Sequence, residues 1–324
     1  ARFTSPCADT VDIVGYNYLY ERVEADHRRF PHRLIAHTET FPEAAAPSWR
    51  TAEENDFVVG DFVWTAWDYF GEAGIGPVAY EKDSTAGLRP WPWLAANCGD
   101  ISLCGQRRPQ SYYREIVWGL RQKPYLAALD PRAAARKCAV SPWGFEDLFA
   151  AWTFPGCEGQ ETEVHVFARA DECELFLNGA SLGRKPLDAQ YRCAFRAPYQ
   201  PGEVRAVVYR DGKAVGEEFL RTAGAPVKLC LAESWPGEEL VFATICVCDA
   251  GGNAVPYANP LIRVSFENAC LLGLGSDDPA STEAFTGPAR HAWRGAVLAV
   301  ARRGDQAPVL RAWADGLTPL EIVL

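Results

Sequence analysis

The sequence predicts an α/β segment followed by all-β structure, and three features support this fold class. Near-continuous apolar strands occur in the first third of the chain, and such strands are typical of parallel sheets covered on both faces. From about residue 140 the strands become short and alternate between apolar and polar residues. Asn-Gly and Asp-Gly pairs separate these strands, and both pairs favour the type I′ turns of β-hairpins.

The first region, residues 1–125, contains three strands of the buried type. They read DIVGYNYL, RLIAHTE and DFVVGDFVW, and longer polar segments join them. A helix is predicted over SYYREIVWGLRQ, with Ser111 as its N-cap and Glu115 near its first turn. The proline-bearing stretch that follows, KPYLAALDPRAAARKCAVSPW, is predicted to be a linker.

Two all-β units are predicted after this stretch, at residues 126–224 and 225–324. The first contains the alternating strands EVHVFAR, CELFLNG, YRCAFRAP and VRAVVYRDG, with turns at Asn178-Gly179 and Asp211-Gly212. Strands spaced about 8–12 residues apart are typical of a β-sandwich. The segment TAGAPVKL marks the boundary, and the second unit contains VKLCLAE, LVFATICVCDA, LIRVSFE, AVLAVARR, VLRAWADG and LEIVL.

Composition and charge exclude several classes of function. The chain has 48% hydrophobic and 23% charged residues, which are ordinary globular values. Acidic residues outnumber basic ones by 42 to 32, for a net charge of −10, whereas a protein that follows a nucleic-acid backbone needs the opposite balance. The sequence contains no apolar run near the ~18 residues of a membrane span. We therefore expect neither nucleic acid nor a membrane as a partner.

The cysteines indicate the cellular compartment, and the absence of methionine concerns where the native polypeptide begins. Eleven cysteines, with no CxxC pair, argue against a disulfide framework and a structural zinc site, so free thiols and a cytoplasmic location are expected. The sequence contains no methionine, even at position 1. We expect either that the native polypeptide begins further upstream, where an export signal would also lie, or that methionines were omitted from the sequence.

Candidate catalytic residues follow the predicted strands of the first region. Glu39 ends the strand RLIAHTE, and the carboxyl ends of barrel strands form the active face of a parallel α/β barrel. In isolation, a solvated glutamate at a strand exit is the alternative. The third strand is followed by Trp64, Trp67 and Asp68, and tryptophans beside acids are typical of a sugar subsite. Since the two tryptophans are three residues apart, they are expected to face opposite sides, and at least one is structural.

These motifs resemble glycoside hydrolase family 2, which contains bacterial β-galactosidases, β-glucuronidases and β-mannosidases. Four segments, DIVGYNY, RLIAHTETFP, DFVVGDFVWTAWDYFGEAGIG and GDISLCGQRRPQSYYREIVWG, resemble the second half of the catalytic barrel. CELFLNGASLGRK resembles the following immunoglobulin-like domain, and CDAGGNAVPYANPLIRVSF, GLGSDDPASTEAF and ADGL resemble the final sandwich of the bacterial β-galactosidase subgroup. The resemblance implies the C-terminal half of a (β/α)8 TIM barrel over residues 1–125, followed by two immunoglobulin-like β-sandwiches.

The resemblance also implies a mechanism and roles for individual residues. Family members retain the anomeric configuration by double displacement with two carboxylates. Glu39 takes the place of the nucleophile, Tyr18 that of the phenol that bonds it, and Trp64 that of the tryptophan under the sugar. The resemblance also implies further substrate-binding residues beside these three, namely Asn17, His37, Trp67 and Asp68.

One departure from the family pattern concerns the general acid/base. In the family it is the glutamate of an Asn-Glu pair on an earlier strand, and the first 125 residues contain no such pair. A whole barrel takes about 250 residues, twice the length of this region. We therefore expect an N-terminal remainder of the same polypeptide to supply the acid/base, and the isolated chain to be inactive. Asp68 or Glu72 as a substitute acid is the weaker alternative.

Hydrolysis of terminal β-D-galactosides in a β-linked oligosaccharide or glycoside is the leading expectation. A β-glucuronidase of the same family is an alternative, for which four cations are available: Arg22, Arg28, Arg29 and Arg33. The other alternative is a non-catalytic glycan-binding or subunit-docking module, with a platform formed by Trp143, Trp152, Trp235, Trp293 and Trp313. Some relatives bind Mg²⁺ or Na⁺ near the sugar, but this sequence contains no corresponding set of ligands. No cofactor is therefore expected. The sugar, its linkage and a homo-oligomeric state stay open.

Overall fold

A parallel sheet begins the fold. The computed structural model describes residues 5–80 and 87–324; residues 1–4 and 81–86 of the predicted first region lie outside this description. The sheet has the order β1-β2-β3 and consists of β1 (Ile13–Asn17), β2 (Leu34–Thr40) and β3 (Val58–Val63). Its helices are α1 (Ser5–Ala8), α2 (Val23–Arg29) and α3 (Ala45–Glu54), with short 3₁₀ turns at Tyr20–Arg22 and Pro42–Ala44. The three strands predicted from their apolar runs are confirmed.

The two faces of this sheet differ in burial. Ile35 and Val58 pack on one face against Val23 of α2, and all three are buried. On the opposite face Ile13, Leu34 and Val59 remain 46%, 42% and 49% exposed. Parallel sheets ordinarily have both faces covered, and the described residues cover only the helix face of this one.

Helix α4 (Pro109–Val117) begins two residues before the predicted helix. Arg108 is its N-cap residue and Pro109 its first residue. Proline is favoured there, because its missing N–H lies among those that have no partner within the helix. The prediction that Ser111 caps the helix is therefore wrong.

The stretch predicted as a linker contains a buried strand. β5 (Tyr125–Leu129) pairs antiparallel with β8 (Glu161–Phe167), because the apolar run YLAAL is buried in the first sandwich. The two sheets of this sandwich have the orders β11-β8-β5-β7 and β10-β9-β12-β13. The other elements between residues 79 and 221 are β4 (Ala79–Tyr80), α5 (Pro131–Ala134), β6 (Cys138–Ala139), β7 (Leu148–Phe149), β9 (Glu172–Leu177), β10 (Ala180–Pro186), β11 (Arg192–Pro198), β12 (Glu203–Arg210) and β13 (Lys213–Arg221). Of these, β4 and β6 form a separate two-stranded sheet.

Both predicted hairpin turns of the first sandwich are confirmed. Asn178 and Gly179 have φ of +49° and +84°, and Asp211 and Gly212 have φ of +51° and +73°, as type I′ turns require. Between the two sheets lies Trp152, which is fully buried and donates its indole N–H to the Gln200 carbonyl oxygen at 2.8 Å. Trp152 is therefore a core residue and no part of a surface platform.

The second sandwich consists of two further four-stranded sheets, β14-β15-β19-β17 and β18-β16-β20-β21. Its strands are β14 (Lys228–Pro236), β15 (Leu240–Cys248), β16 (Leu261–Glu267), β17 (Ala269–Gly275), β18 (Ala289–His291), β19 (Ala296–Arg303), β20 (Val309–Trp313) and β21 (Leu320–Val323). Buried Ile245 and Val264 come from opposite sheets and pack in its core with Leu310. The fold is thus mostly β-sheet, with two sandwiches after the parallel sheet.

The parallel-sheet unit packs directly on the first sandwich. Ala45 and Ala46 of α3, Tyr113 of α4 and Phe167 of β8 belong to one buried cluster. This shared core fixes the sheet relative to the strands that follow it. All eleven cysteines lie within the described residues and are free thiols. Over residues 5–80 and 87–324, no helix is long and apolar enough to cross a membrane.

Candidate active site

Glu39 lies at the carboxyl end of β2, just after a shift in strand register. Tyr16 of β1 pairs with His37, but the next residue, Asn17, pairs with Glu39, so Thr38 is an extra residue. Bulges of this kind change the direction of side chains and are frequent beside active sites. The shift explains why His37 is fully buried while Glu39, two residues later, is half-buried.

Tyr18 holds the carboxylate of Glu39. Its phenol Oη donates to Glu39 Oε2 at 2.7 Å, and its backbone N–H donates to the Glu39 carbonyl oxygen at 2.8 Å. The φ of Tyr18 is +56°, a conformation that is uncommon for a bulky residue and often marks a functional site. Burial, and next the hydrogen bond to Glu39, raise the pKa of Tyr18 well above its usual value. The phenol therefore stays protonated and acts as a donor.

Trp143 completes this hydrogen-bonded chain. Its indole Nε1 donates to Tyr18 Oη at 3.0 Å. Its ring meets Tyr18 and Phe41 edge-on, with centroids 6.2 and 5.6 Å away, while Tyr18 stacks on Phe41 at 3.9 Å. The sequence offered Trp143 only as part of a possible glycan platform, because it lies more than one hundred positions from Glu39 and follows none of the predicted parallel strands.

Trp64 joins the same region through apolar packing. Trp64, Tyr69 and Trp143 are partly buried and pack on one cluster that contains Cys98. The rings of Trp64 and Tyr69 meet edge-on at 5.8 Å, and the Tyr69 hydroxyl donates to Glu72. An aromatic wall therefore stands near Tyr18 and Glu39. Such walls cover the apolar faces of sugars.

Asn17 ends β1 beside this wall. Thr38 Oγ1 donates to its Oδ1 at 2.6 Å, and both residues are exposed. The pairing of Asn17 with Glu39 across the two strands brings its amide to the same edge of the sheet. Asn17 therefore presents an exposed side-chain amide at the same strand ends as Glu39.

His37 does not join Asn17 and Glu39. Its ring lies on the helix face of the sheet, where Nε2 is 2.7 Å from Thr51 Oγ1 of α3. Burial lowers the pKa of His37, so the ring is neutral near pH 7. Because the side chain has no exposed surface, the prediction that His37 contacts substrate is corrected: it is a packing residue beneath the sheet.

Asp68 is likewise occupied by the protein itself. Its Oδ2 accepts from Arg108 Nη2 at 2.7 Å, and its Oδ1 accepts from the backbone N–H groups of Tyr69 and Cys98 at 3.1 and 3.3 Å. The side chain has no exposed surface. We therefore correct its predicted substrate contact: Asp68 ties together the loops that follow β3.

Trp67 lies apart from the aromatic wall. It is 55% exposed, and its ring covers Gly105, where an added Cβ would lie 3.7 Å from the indole. Trp64 instead belongs to the cluster next to Tyr69. The separation of the two tryptophans agrees with the prediction that they face different sides, and the structure does not bring Trp67 to Glu39.

A cavity of about 480 Å³ lies away from Glu39, where the parallel-sheet unit meets both sandwiches. Its wall includes Arg294, whose guanidinium lies 3.7 Å above the Phe149 ring and 3.8 Å from Asp147. Arg108, also in the wall, pairs with Asp68. Because these charged groups pair with protein partners, we describe the cavity as an internal junction and locate the candidate chemistry at Glu39.

The described residues show no evidence of a metal centre. Among residues 5–80 and 87–324, no group of three or more His, Cys, Asp or Glu side chains is arranged to hold a metal ion. The chemistry available at the site is that of a carboxylate, a protonated phenol and aromatic rings.

Family models match both sandwiches. The model described as "Glycoside hydrolase family 2 C-terminal domain 5" matches residues 234–323. A second model, "Domain of unknown function (DUF4982)", matches residues 159–216.

Two curated relatives and a solved structure match longer stretches of the chain. Beta-galactosidase BoGH2A of Bacteroides ovatus is 30% identical over 262 residues, which are 78% of this chain and 26% of that protein. A protein of Formosa agariphila, provisionally named a β-glucuronidase, is 30% identical over 190 residues, 57% of this chain and 15% of that protein. A crystal structure of a glycosyl hydrolase family 2 member from Bacteroides cellulosilyticus aligns with a TM-score of 0.87 at 34% identity, over 99% of this chain and 42% of that one.

These matches define the family of the chain. It belongs to glycoside hydrolase family 2, and the resemblance drawn from its motifs is confirmed. The chain spans about a quarter of the length of the Bacteroides ovatus relative and less than half of the solved structure.

Proposed function

We propose that this chain is the C-terminal part of a retaining β-glycosidase, with Glu39 as the nucleophile and terminal β-D-galactosides as the substrates. The observation that carries the proposal is the half-buried Glu39 carboxylate, held by the Tyr18 phenol at 2.7 Å at the end of a parallel strand. Family membership adds that carboxylates perform the chemistry.

The geometry suits a nucleophile more than an acid. The Tyr18 hydroxyl occupies Glu39 Oε2, which leaves Oε1 as the attacking atom. That oxygen forms an ester bond to the anomeric carbon as the bond to the leaving oxygen breaks, and the acid/base protonates the leaving oxygen. Water, deprotonated by the same acid/base, then cleaves the ester and returns Glu39 as a carboxylate. Trp64 covers one face of the sugar.

We propose that residues preceding this chain in the polypeptide complete a (β/α)8 barrel and supply the acid/base. Three consecutive parallel strands with helices between them match the repeating unit of such a barrel. The exposed apolar face formed by Ile13, Leu34 and Val59 is suited to packing in a barrel interior. In this proposal residues 1–125 are the second half of the barrel, residues 126–224 and 225–324 are immunoglobulin-like domains, and the chain alone is inactive.

The ion pairs of the candidate arginines favour galactosides over glucuronides as the substrates. Arg22 pairs with Asp26 at 3.1 Å, Arg28 with Glu24 at 3.6 Å, and Arg33 with Asp9 at 2.6 Å. These carboxylates already neutralise three of the four guanidinium groups that were candidates for binding a uronic acid. The Bacteroides ovatus relative, named a β-galactosidase, supports the same choice.

The test uses the complete polypeptide and the variant Glu39→Gln. The wild type is expected to hydrolyse 4-nitrophenyl β-D-galactoside faster than the β-D-glucuronide, and Glu39→Gln to lose at least about 10³-fold in kcat, since the covalent step needs the carboxylate. Glu54→Gln, at an exposed position of α3, is the matched control and should keep wild-type rates. Unchanged turnover in Glu39→Gln would exclude Glu39 as the nucleophile. Faster hydrolysis of the glucuronide than of the galactoside by the wild type would reverse the substrate assignment.

The glycan-binding alternative depends on fewer residues than the sequence suggested. Trp152 is in the core and Trp143 is in the candidate active site. Trp235 and Trp313 are 46% and 41% exposed, but they lie on different sheets. Binding of the complete Glu39→Gln polypeptide to a glycan array, abolished by Trp235→Ala or Trp313→Ala, would support this alternative.

A further inference from the structure

We infer that Trp143 is a positioning residue for the nucleophile, and that the segment Ser141–Gly144, which lies between β5 and β7 of the first sandwich, is thereby part of the active site. The inference rests on the proposed function, because it assigns Trp143 a role in a reaction at Glu39. Three observations support it: the anchoring of the segment, the direction of its hydrogen bond and the nature of its contacts with Tyr18.

The segment is anchored on both sides of Trp143. The buried Ser141 hydroxyl donates to the Ile75 carbonyl oxygen. Gly144 lies so close to Gly76 that an added Cβ would be 2.5 Å from the Gly76 carbonyl oxygen. Next to it, Phe145 is buried in the cluster shared by α4 and the first sandwich. Trp143 is therefore held between two fixed points against the loop that follows β3.

The hydrogen bond from Trp143 directs the proton of Tyr18. A phenol has one proton to donate and also accepts hydrogen bonds, whereas an indole N–H can only donate. With Trp143 Nε1 donating to Tyr18 Oη at 3.0 Å, the phenol proton is left for Glu39 Oε2 at 2.7 Å. Consecutive hydrogen bonds strengthen each other in a low-dielectric site. Trp143 therefore makes Tyr18 a better donor to the Glu39 carboxylate, and it does so through Tyr18.

The aromatic contacts of Trp143 provide a second, purely structural role that must be separated from the first. Its ring packs edge-on against Tyr18 and Phe41, and these contacts contribute to stability whether or not the N–H donates. Replacing Trp143 by phenylalanine keeps an aromatic ring and removes the donor. The two roles therefore predict different results for this variant: altered kinetics from positioning, and altered stability alone from packing.

The experiment compares Trp143→Phe, Tyr18→Phe and the double variant in the complete polypeptide. We expect Trp143→Phe to lower kcat on 4-nitrophenyl β-D-galactoside about two- to tenfold, as for loss of one hydrogen bond between neutral groups, with KM changed less than about twofold. Since Trp143 acts through Tyr18, the double variant should be little slower than Tyr18→Phe alone.

Phe219→Leu, at an exposed position of the first sandwich, is the control and should keep the wild-type rate. The inference is overturned if Trp143→Phe has an unchanged kcat, with or without a lowered melting temperature. It is also overturned if the effects of Trp143→Phe and Tyr18→Phe simply add. A wild type that hydrolyses neither nitrophenyl β-glycoside is a different failure, because it rejects the proposed function itself.

Discussion

Arg192 of β11 joins the first sandwich to the turn that follows Glu39. Its guanidinium binds Glu43, in that turn, at 3.0 Å and also binds Glu146. The Arg192 side chain is only 13% exposed. Replacement by methionine keeps most of the buried stem but removes both ion pairs. We predict that Arg192→Met destabilises the protein and weakens the contact between the sandwich and the strand end.

The magnitude follows from the two hydrogen bonds that are lost. A hydrogen bond to a charged group contributes about 1.5–3 kcal/mol. Glu43 is 43% exposed, so its share is reduced by solvent screening, whereas Glu146 is better buried, at 30%. Leaving two partly buried carboxylates without their cation adds to the loss. We expect the free energy of unfolding to fall by about 2–4 kcal/mol.

The loss should depend on pH. Burial raises the pKa of Glu43 and of Glu146, and Arg192 opposes this rise in both; without the arginine, both values rise further. A carboxyl group whose pKa is higher in the folded state stabilises the fold while it is protonated, and this stabilisation is lost as the pH rises through the folded pKa. Arg192→Met should therefore lose more stability at about pH 8 than at about pH 5.

Urea unfolding of the complete polypeptide, followed by tryptophan fluorescence at both pH values, measures this effect. Arg196→Met on the same strand is the matched control, because Arg196 is 76% exposed and pairs with Glu163 at 3.1 Å. Such a surface pair contributes at most about 1 kcal/mol. Equal losses in the two variants, or a loss in Arg192→Met that does not change with pH, would refute the reasoning.

Two further predictions concern packing. Gly144→Ala should cost about 1–3 kcal/mol and reduce kcat, because its Cβ would meet the Gly76 carbonyl oxygen at 2.5 Å and displace the adjacent Trp143. Gly87→Ala, where no atom of the described residues lies within 4 Å of the added Cβ, should change neither quantity in the same melting and activity assays. Trp152→Ala should lower the free energy of unfolding by about 3–5 kcal/mol, because the side chain is fully buried. Urea unfolding should show a much smaller loss for Trp313→Ala, because Trp313 is 41% exposed. Equal losses would contradict the place of Trp152 in the core.

Most strands that bury side chains were predictable from the sequence, with β5 as the exception, whereas several edge strands were not. The apolar runs behind β1, β2 and β3 predicted all three, since such runs are typical of the strands of parallel sheets. The predictions missed β10, β13, β17 and β18, each of which lies at the edge of its sheet. Every residue of β10 is exposed, so that strand is specified by backbone pairing with β9 and not by hydrophobic alternation.

The site was predictable in its residue types but not in its directions. Glu39 and Tyr18 could be aligned with family motifs, and the structure joins them by a hydrogen bond. His37 faces the same side as Ile35 by regular alternation, whereas the direction of Glu39 depends on a one-residue register shift at Thr38, which a single sequence does not reveal. Trp143 reaches Tyr18 only through tertiary packing across 125 sequence positions, so no local pattern could have assigned it.

Two kinds of contact connect the first sandwich with the carboxyl end of β2. One is polar and aromatic: Trp143, which follows β5 in the chain, bonds and packs on Tyr18. The other is ionic: Arg192 of β11 binds Glu43, four residues after Glu39. The ends of β1 and β2 therefore obtain part of their support from the sandwich. Since an active site needs its supporting contacts as much as its reacting groups, the first sandwich is expected to be as necessary for catalysis as the strands that carry Glu39 and Tyr18.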